Sequence, residues 1–218
     1  MRKKTNEELI QVSMDKTNAC HALNSNAIIT RHTIKQVDMN TFLELVRNRQ
    51  SDRAYLDKPV ETEKLERVLE AARLAPSACN SQPWRFIVVT DPEKRMQVAE
   101  AIASKVLSMN HFTRQAPVQL VLVEENANFT STLGGWATNK HYPHIDLGIV
   151  ASYISLAAAD EGLGSCIIGW CDEKKIRKAL NIPKNKRVML VILLGYSDQP
   201  LREKKRKTKE EIISFNKY

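Results

Sequence analysis

Between Pro76 and Phe86 the chain reads PSACNSQPWRF, and much of its chemical potential is concentrated there. Two prolines enclose Ser77, Asn80, Ser81 and Gln82, whose hydroxyls and amides can meet the heteroatoms of a planar ring. Trp84 and Phe86 supply apolar anchors for such a loop. Read on these residues alone, a well-packed polar turn accounts for it equally well.

Two basic clusters stand apart from it. In Arg49-Gln50-Ser51-Asp52-Arg53, alternate residues of an extended segment point the same way, so Arg49, Ser51 and Arg53 can face one anion together. Guanidinium forks and a hydroxyl suit a phosphate. Lys204 and Arg206 repeat the same spacing near the end of the chain. Taken singly, each cluster also reads as a solvated charged surface.

Other chemistries lack their residues. There is no G-x-S-x-G elbow and no G-x-x-x-x-G-K-[ST] phosphate loop. Gly162-Leu163-Gly164 precedes a strand instead of opening a helix, and Ile167 breaks the dinucleotide fingerprint. His141 and His144 are three apart, but Pro143 between them argues for a turn. No carboxylate or cysteine cluster is evident beside them, so two loop histidines is the favoured reading. No residue is assigned as a metal ligand, and no side chain as a catalytic acid or base.

The elements that must position these groups follow from periodicity. Phe42, Leu43, Leu45 and Val46 mark a short amphipathic helix within Met39–Arg49. Leu65, Val68, Leu69 and Ala72 share one face of a helix over Thr62–Ala75, with Thr62 as N-cap and Pro76 as its stop. Phe86–Thr90 is a short strand. Asp91-Pro92 opens the next helix, whose buried face is Met96, Ala99, Ile102, Ala103 and Val106. Val118–Val123 reads as a central strand. Glu124–Pro143 looks irregular and is longer than most connections, a length that suits a substrate lid. Ile145–Glu161 is a helix polar on little of its circumference, hence mostly buried. A strand over Ser165–Ile168, a helix over Asp172–Leu180 and the strongest strand, Arg187–Tyr196, complete the order. Without strict alternation or repeats, this pattern favours an α+β layered domain over residues 41–218. Residues 1–40 read as a poorly specified extension with room for one short helix, and the tail beyond Ser197 must dock on its own body or on a partner subunit.

The chain is long enough for one domain with a real core. No apolar run approaches the roughly 18–20 residues that span a bilayer, and the basic N-terminus lacks a signal's apolar centre, so the cytoplasm is the expected compartment. Four cysteines without a C-x-x-C pair read as buried or half-buried free thiols. The net charge of +8, with six basic residues in the eight of Arg202–Lys209, asks for an anionic partner or a solvated tail. Nucleic acid is disfavoured because aromatics do not interleave with that run as a stacking platform would need.

Taken together, the three motifs resemble the nitroreductase family of FMN-dependent oxidoreductases. R-x-S-x-R at Arg49, Ser51 and Arg53 comes first, followed by Tyr55 and an entry D-K-P-V. A-P-S-x-x-N-S-Q-P-W-x-F at Ala75–Phe86 is the specific one. G-L-G-S-C-I-I-G-W at Gly162–Trp170 leads to Leu194-Gly195-Tyr196 and the K-x-R tail. The resemblance covers Phe42 to the C-terminus. It implies a mostly antiparallel central sheet flanked by helices in three layers, and a homodimer whose C-terminal segment is exchanged between subunits. It further implies that Arg49, Gln50, Ser51 and Arg53 bind the FMN phosphate and pyrimidine edge, with Lys204 and Arg206 completing the phosphate site. Pro76, Ser77 and Asn80 would contact the flavin from the neighbouring subunit, and the backbone at Ile168 and Gly169 would meet its reactive edge. The implied reaction is ping-pong reduction of small electron acceptors by NADH or NADPH, towards which the positive charge tilts. A family member using its flavin for fragmentation or dehalogenation fits the same motifs. Cys79, inside the second motif, fits space-filling beside the ring.

Overall fold

The two most continuously apolar stretches, β2 (Val118–Glu124) and β4 (Arg187–Gly195), pair antiparallel at the centre of a four-stranded sheet. The edge strands are β1 (Trp84–Val89) on β2 and β3 (Gly164–Ile168) on β4, giving the order β1-β2-β4-β3, antiparallel throughout. The computed structural model describes residues 39–104 and 109–218, of which Leu43 onward forms one compact unit. The extension expected over residues 1–40 lies outside the described residues, except that its last two open helix α1 (Met39–Asn48). Cys20 and Val106 lie outside them as well.

Strand alternation sorts the apolar side chains into two cores. Val121, Val123, Val191 and Leu193 lie on the side covered by α3 (Pro92–Ile102) and α6 (Glu173–Leu180). Leu120, Leu122, Ile192 and Leu194 lie on the side covered by α2 (Thr62–Arg73) and α5 (Tyr142–Asp160). The result is the α+β three-layer domain read from the sequence. Each fully buried Leu or Ile here contributes about 1.5–3 kcal/mol of transfer free energy.

Local signals decide where the helices begin. Asp91 accepts from the Lys94 N–H at 2.9 Å with Pro92 next in line, and Asp172 does the same for Lys175 at 3.1 Å. Thr62 is instead the first residue of α2, with Glu61 at the cap position and no side-chain cap. The stretch expected to be irregular, Glu124–Pro143, holds a further helix, α4 (Phe129–Thr138), capped by Asn128 on the Ser131 N–H. Gly134 and Gly135 depress its helical propensity, which hides it from a propensity reading. Met96, expected in the core, is exposed; Val98 and Ala101 take that role. Cys79 is exposed, whereas Cys166 is buried and Cys171 half-buried.

Two apolar faces find no cover within the unit. On α5, Leu147, Val150, Ala151, Ile154 and Ala158 are buried, but Ile145 and Tyr153 are exposed. On α1, Leu43 and Val46 are exposed too. The expected burial of α5 therefore holds for one side only.

Candidate functional site

The segment Arg49–Arg53 is drawn into the fold from both sides. Ser51 bridges to Ser165 at the start of β3, where the Asp52 N–H donates to the Ser165 carbonyl at 2.9 Å. Asp52 is buried and Tyr55 donates its hydroxyl to the Asp52 carbonyl at 3.1 Å; burial pushes that phenol far above its ordinary range, so it stays a donor. With Asp52 turned inward, Arg49, Ser51 and Arg53 fall on the more open side, as alternation requires.

The C-terminal strap closes on the same segment. Gln199 accepts from the Arg53 N–H at 2.7 Å, and Gln50 accepts from the Arg202 N–H at 3.1 Å while donating to Asp52 at 3.0 Å. Arg202 donates to the Ser51 carbonyl, and Lys204 to the Arg47 carbonyl. Lys204 is thereby brought against Arg49 and Arg206. Desolvation first, then these two guanidinium groups, hold its ammonium below the ordinary lysine range. Among the described residues, none of Arg49, Arg53, Lys204 and Arg206 is in an ion pair with a carboxylate. Cations crowded together without counter-charge make a cradle for an anion.

The Pro76–Phe86 loop is strained and firmly tethered. Cys79, Asn80 and Gln82 all have left-handed backbone, with φ of 51°, 50° and 47°; for Cys and Gln this conformation is costly. The strain is held by bonds from outside the loop. Asp146 of α5 accepts from the Ala78 N–H at 3.0 Å, Asn128 donates to the Cys79 carbonyl at 3.0 Å, and the Asn128 N–H donates to Ser81 Oγ at 2.8 Å. Within it, Ser77 Oγ accepts from the Gln82 N–H at 2.9 Å, and Gln82 donates to Asn80 Oδ1 at 3.1 Å. Ser77 keeps its hydroxyl proton and Asn80 its amide N–H donors for another partner. Trp84 and Phe86 stack with centroids 6.2 Å apart and pack on the α2–α5 core.

Ile168 is the last paired residue of β3, opposite Val191, and Gly169 follows it into the open. A methyl group at 169 would meet only Leu190 at an ordinary 3.8 Å, so packing within the chain does not require glycine there. Close approach of another molecule to the backbone would.

The structure thus brings Arg49, Gln50, Ser51, Arg53, Lys204 and Arg206 together and sets Pro76, Ser77 and Asn80 on a separate, Asp146-tethered loop. Among the described residues no hydrogen bond or ion pair joins the two groups. Asp146 and Asn128 escaped the reading of the sequence. An aspartate set between Ile145 and Leu147 on the apolar face of a helix demands a partner, and that was the available signal for Asp146. Asn128 had only its position before a capped helix. The histidine pair also differs from expectation: His141 and His144 open α5, and Glu124 lies against both.

The site thus consists of a cation cluster without carboxylate partners among the described residues and a polar loop held by Asp146 and Asn128. The chain belongs to the nitroreductase family, whose model matches residues 46–196. It is 33% identical, over 72% of its length and 86% of the relative's, to an Archaeoglobus fulgidus protein named as an NADH dehydrogenase/NAD(P)H nitroreductase. An iodotyrosine deiodinase of Thermotoga neapolitana is 25% identical over 83% of this chain and all of that protein. Among solved structures, an FMN-dependent nitroreductase from Clostridium difficile R20291 superposes with a TM-score of 0.63 at 31% identity, covering 81% of this chain and 99% of that one. Membership makes the chain an oxidoreductase of a flavin-dependent family. The residues present fit such a cofactor, because Arg49, Arg53, Lys204 and Arg206 have no carboxylate partner among the described residues and a phosphate dianion would supply the missing counter-charge.

Proposed function

We propose that the chain is an FMN-dependent oxidoreductase that takes reducing equivalents from NADH or NADPH and delivers them, in ping-pong fashion, to small acceptors such as nitroaromatics, quinones and enones. The observation that carries this reading is the cluster of Arg49, Lys204 and Arg206, which the bonds of Arg202 to the Ser51 carbonyl and of Lys204 to the Arg47 carbonyl draw together without a carboxylate partner among the described residues. When bound, FMN supplies the hydride chemistry, accepting from the nicotinamide and donating to the acceptor. Arg49, Ser51, Arg53, Lys204 and Arg206 would hold the phosphate, and Gln50, whose amide is fixed by Asp52 and Arg202, would lie beside the pyrimidine edge. Pro76, Ser77 and Asn80 line the ring, and the backbone at Ile168–Gly169 offers an N–H donor to its reactive edge. The cytoplasm, which supplies both nicotinamides, suits this chemistry.

The assembly we propose is a homodimer in which the loop of one subunit and the cradle of the other form each site. The uncovered apolar side of α5, Trp136 at 84% exposure and Phe215 at 83% support it, since such surface seeks a partner. The C-terminal segment would wrap the neighbouring subunit.

The test is reconstitution of flavin-free protein with FMN and with riboflavin, followed by fluorescence. A phosphate cradle requires FMN to bind at least about 30-fold more tightly, the equivalent of roughly 2 kcal/mol for charge-assisted contacts. Equal affinities would remove the cradle's role. The similarity to a protein named as a deiodinase favours one second reading, in which the same flavin site removes halogen from an aromatic substrate.

A further inference from the structure

We infer that Glu124, His141 and His144 form a site for a divalent transition-metal ion, a clasp that closes the base of the excursion carrying α4. The inference does not depend on the flavin reading. Glu124 ends β2, whereas His141 caps α5 and His144 lies in its first turn. Residues 125–140, including all of α4, therefore run from one side of this cluster back to the other. His141 Nε2 lies 2.7 Å from Glu124 Oε1 and His144 Nε2 lies 3.5 Å from Oε2. The two rings meet edge to face with centroids 3.9 Å apart. One donor atom from each residue lies within 4.8 Å of the other two.

Two imidazole nitrogens and a carboxylate oxygen match zinc and its neighbours in the first transition series. Bonds of about 2.0–2.1 Å place tetrahedral donors roughly 3.3 Å apart, so closure moves exposed side chains by about 1–2 Å. Both histidines are exposed, and Glu124 is half-buried beneath them. Glu124 and His141 border a cleft of about 690 Å³, lined also by Ser131, Trp136, Asn139 and Arg187, from which water would complete the coordination. The amino end of α5 and the Arg187 guanidinium near Glu124 oppose a cation, and the Glu124 carboxylate is the charge that offsets them. A pair of hydrogen bonds without metal would satisfy the same distances, and the experiment separates the two.

Zn²⁺ is titrated calorimetrically into the full chain, dialysed against chelator, alongside His144→Ala and Glu124→Gln. The expected result is one ion per chain, with affinity at least about 100-fold weaker in both variants, since even outer-shell partners of metal ligands cost 10–100-fold. Lys140 is the one lysine or arginine in residues 125–140, so trypsin cleavage after it reports on the clasp. Zn²⁺ should slow that cut in the unaltered chain and leave it unchanged in His144→Ala. Absence of binding overturns the inference. So does binding that both variants retain, an adventitious ion only, and so does binding that gives no protection at Lys140. Flavin content is read separately from the same samples, so loss of flavin and loss of metal are distinguished.

Discussion

Asp146, at 1% exposure on the buried face of α5, accepts the Ala78 backbone N–H at 3.0 Å and thereby ties that helix to the strained loop that would line the proposed flavin. Removal of the acceptor leaves that N–H unpaired, which costs about 1–3 kcal/mol. Asp146→Ala should lower stability in urea by that amount and weaken FMN binding. Asp146→Asn, which keeps an oxygen acceptor, should do less of both. Equal effects from the two variants would show that the bond to Ala78 is not what the carboxylate contributes.

Arg49 lies against Lys204 in the cation cluster. Arg49→Ala should weaken FMN affinity by roughly 2–4 kcal/mol, a partly buried charged contact, and riboflavin affinity far less. Fluorescence titration measures both. Unchanged FMN binding would place the phosphate elsewhere.

Lys204 gives the site a pH signature. Its ammonium is held below the ordinary lysine range by desolvation and by Arg49 and Arg206. A phosphate favours the protonated form, so FMN affinity is full below the folded-state pKa and falls as pH rises through it. The fall should therefore begin at lower pH than an ordinary lysine dictates, and Lys204→Gln should abolish that component. A titration curve identical in the variant would contradict the assignment.

The proposed dimer is tested through the exposed apolar tail, Ile212 and Phe215. Ile212→Asp with Phe215→Asp should shift sedimentation from twice 24.8 kDa towards a single chain, and flavin should dissociate in parallel. Dissociation without loss of flavin would show that each site lies within one subunit.

Gly195 tests the packing behind the cradle. A methyl group there would meet Pro117 Cδ at 2.5 Å and Tyr55 Cδ1 at 3.0 Å. Overpacking of this kind costs about 1–3 kcal/mol, so Gly195→Ala should lower the thermal midpoint and loosen the Tyr55–Asp52 contact.

The core was legible because β2 and β4 are apolar on both faces and Asp91, Pro92 and Asp172 are explicit helix starts. The Arg49–Arg53 cluster was legible from alternation, although its neighbours Gln199 and Arg202 were not, since nothing local links positions about 150 residues apart. Helix α4 was hidden by its glycines. The Asp146–Ala78 and Asn128–Cys79 bonds, and the approach of Glu124 to His141, depend on how distant segments pack, which no periodicity reports. The positive φ of Cys79 and Gln82 was equally invisible, because neither residue prefers that conformation.

Anaerobic addition of NADH or NADPH to the purified protein tests the central claim most directly. A yellow protein whose flavin absorption bleaches with the nicotinamide and returns on addition of a quinone or nitroaromatic is the predicted result. A colourless protein that takes up no FMN would contradict the account, and a yellow one that neither nicotinamide bleaches would contradict its reductase half.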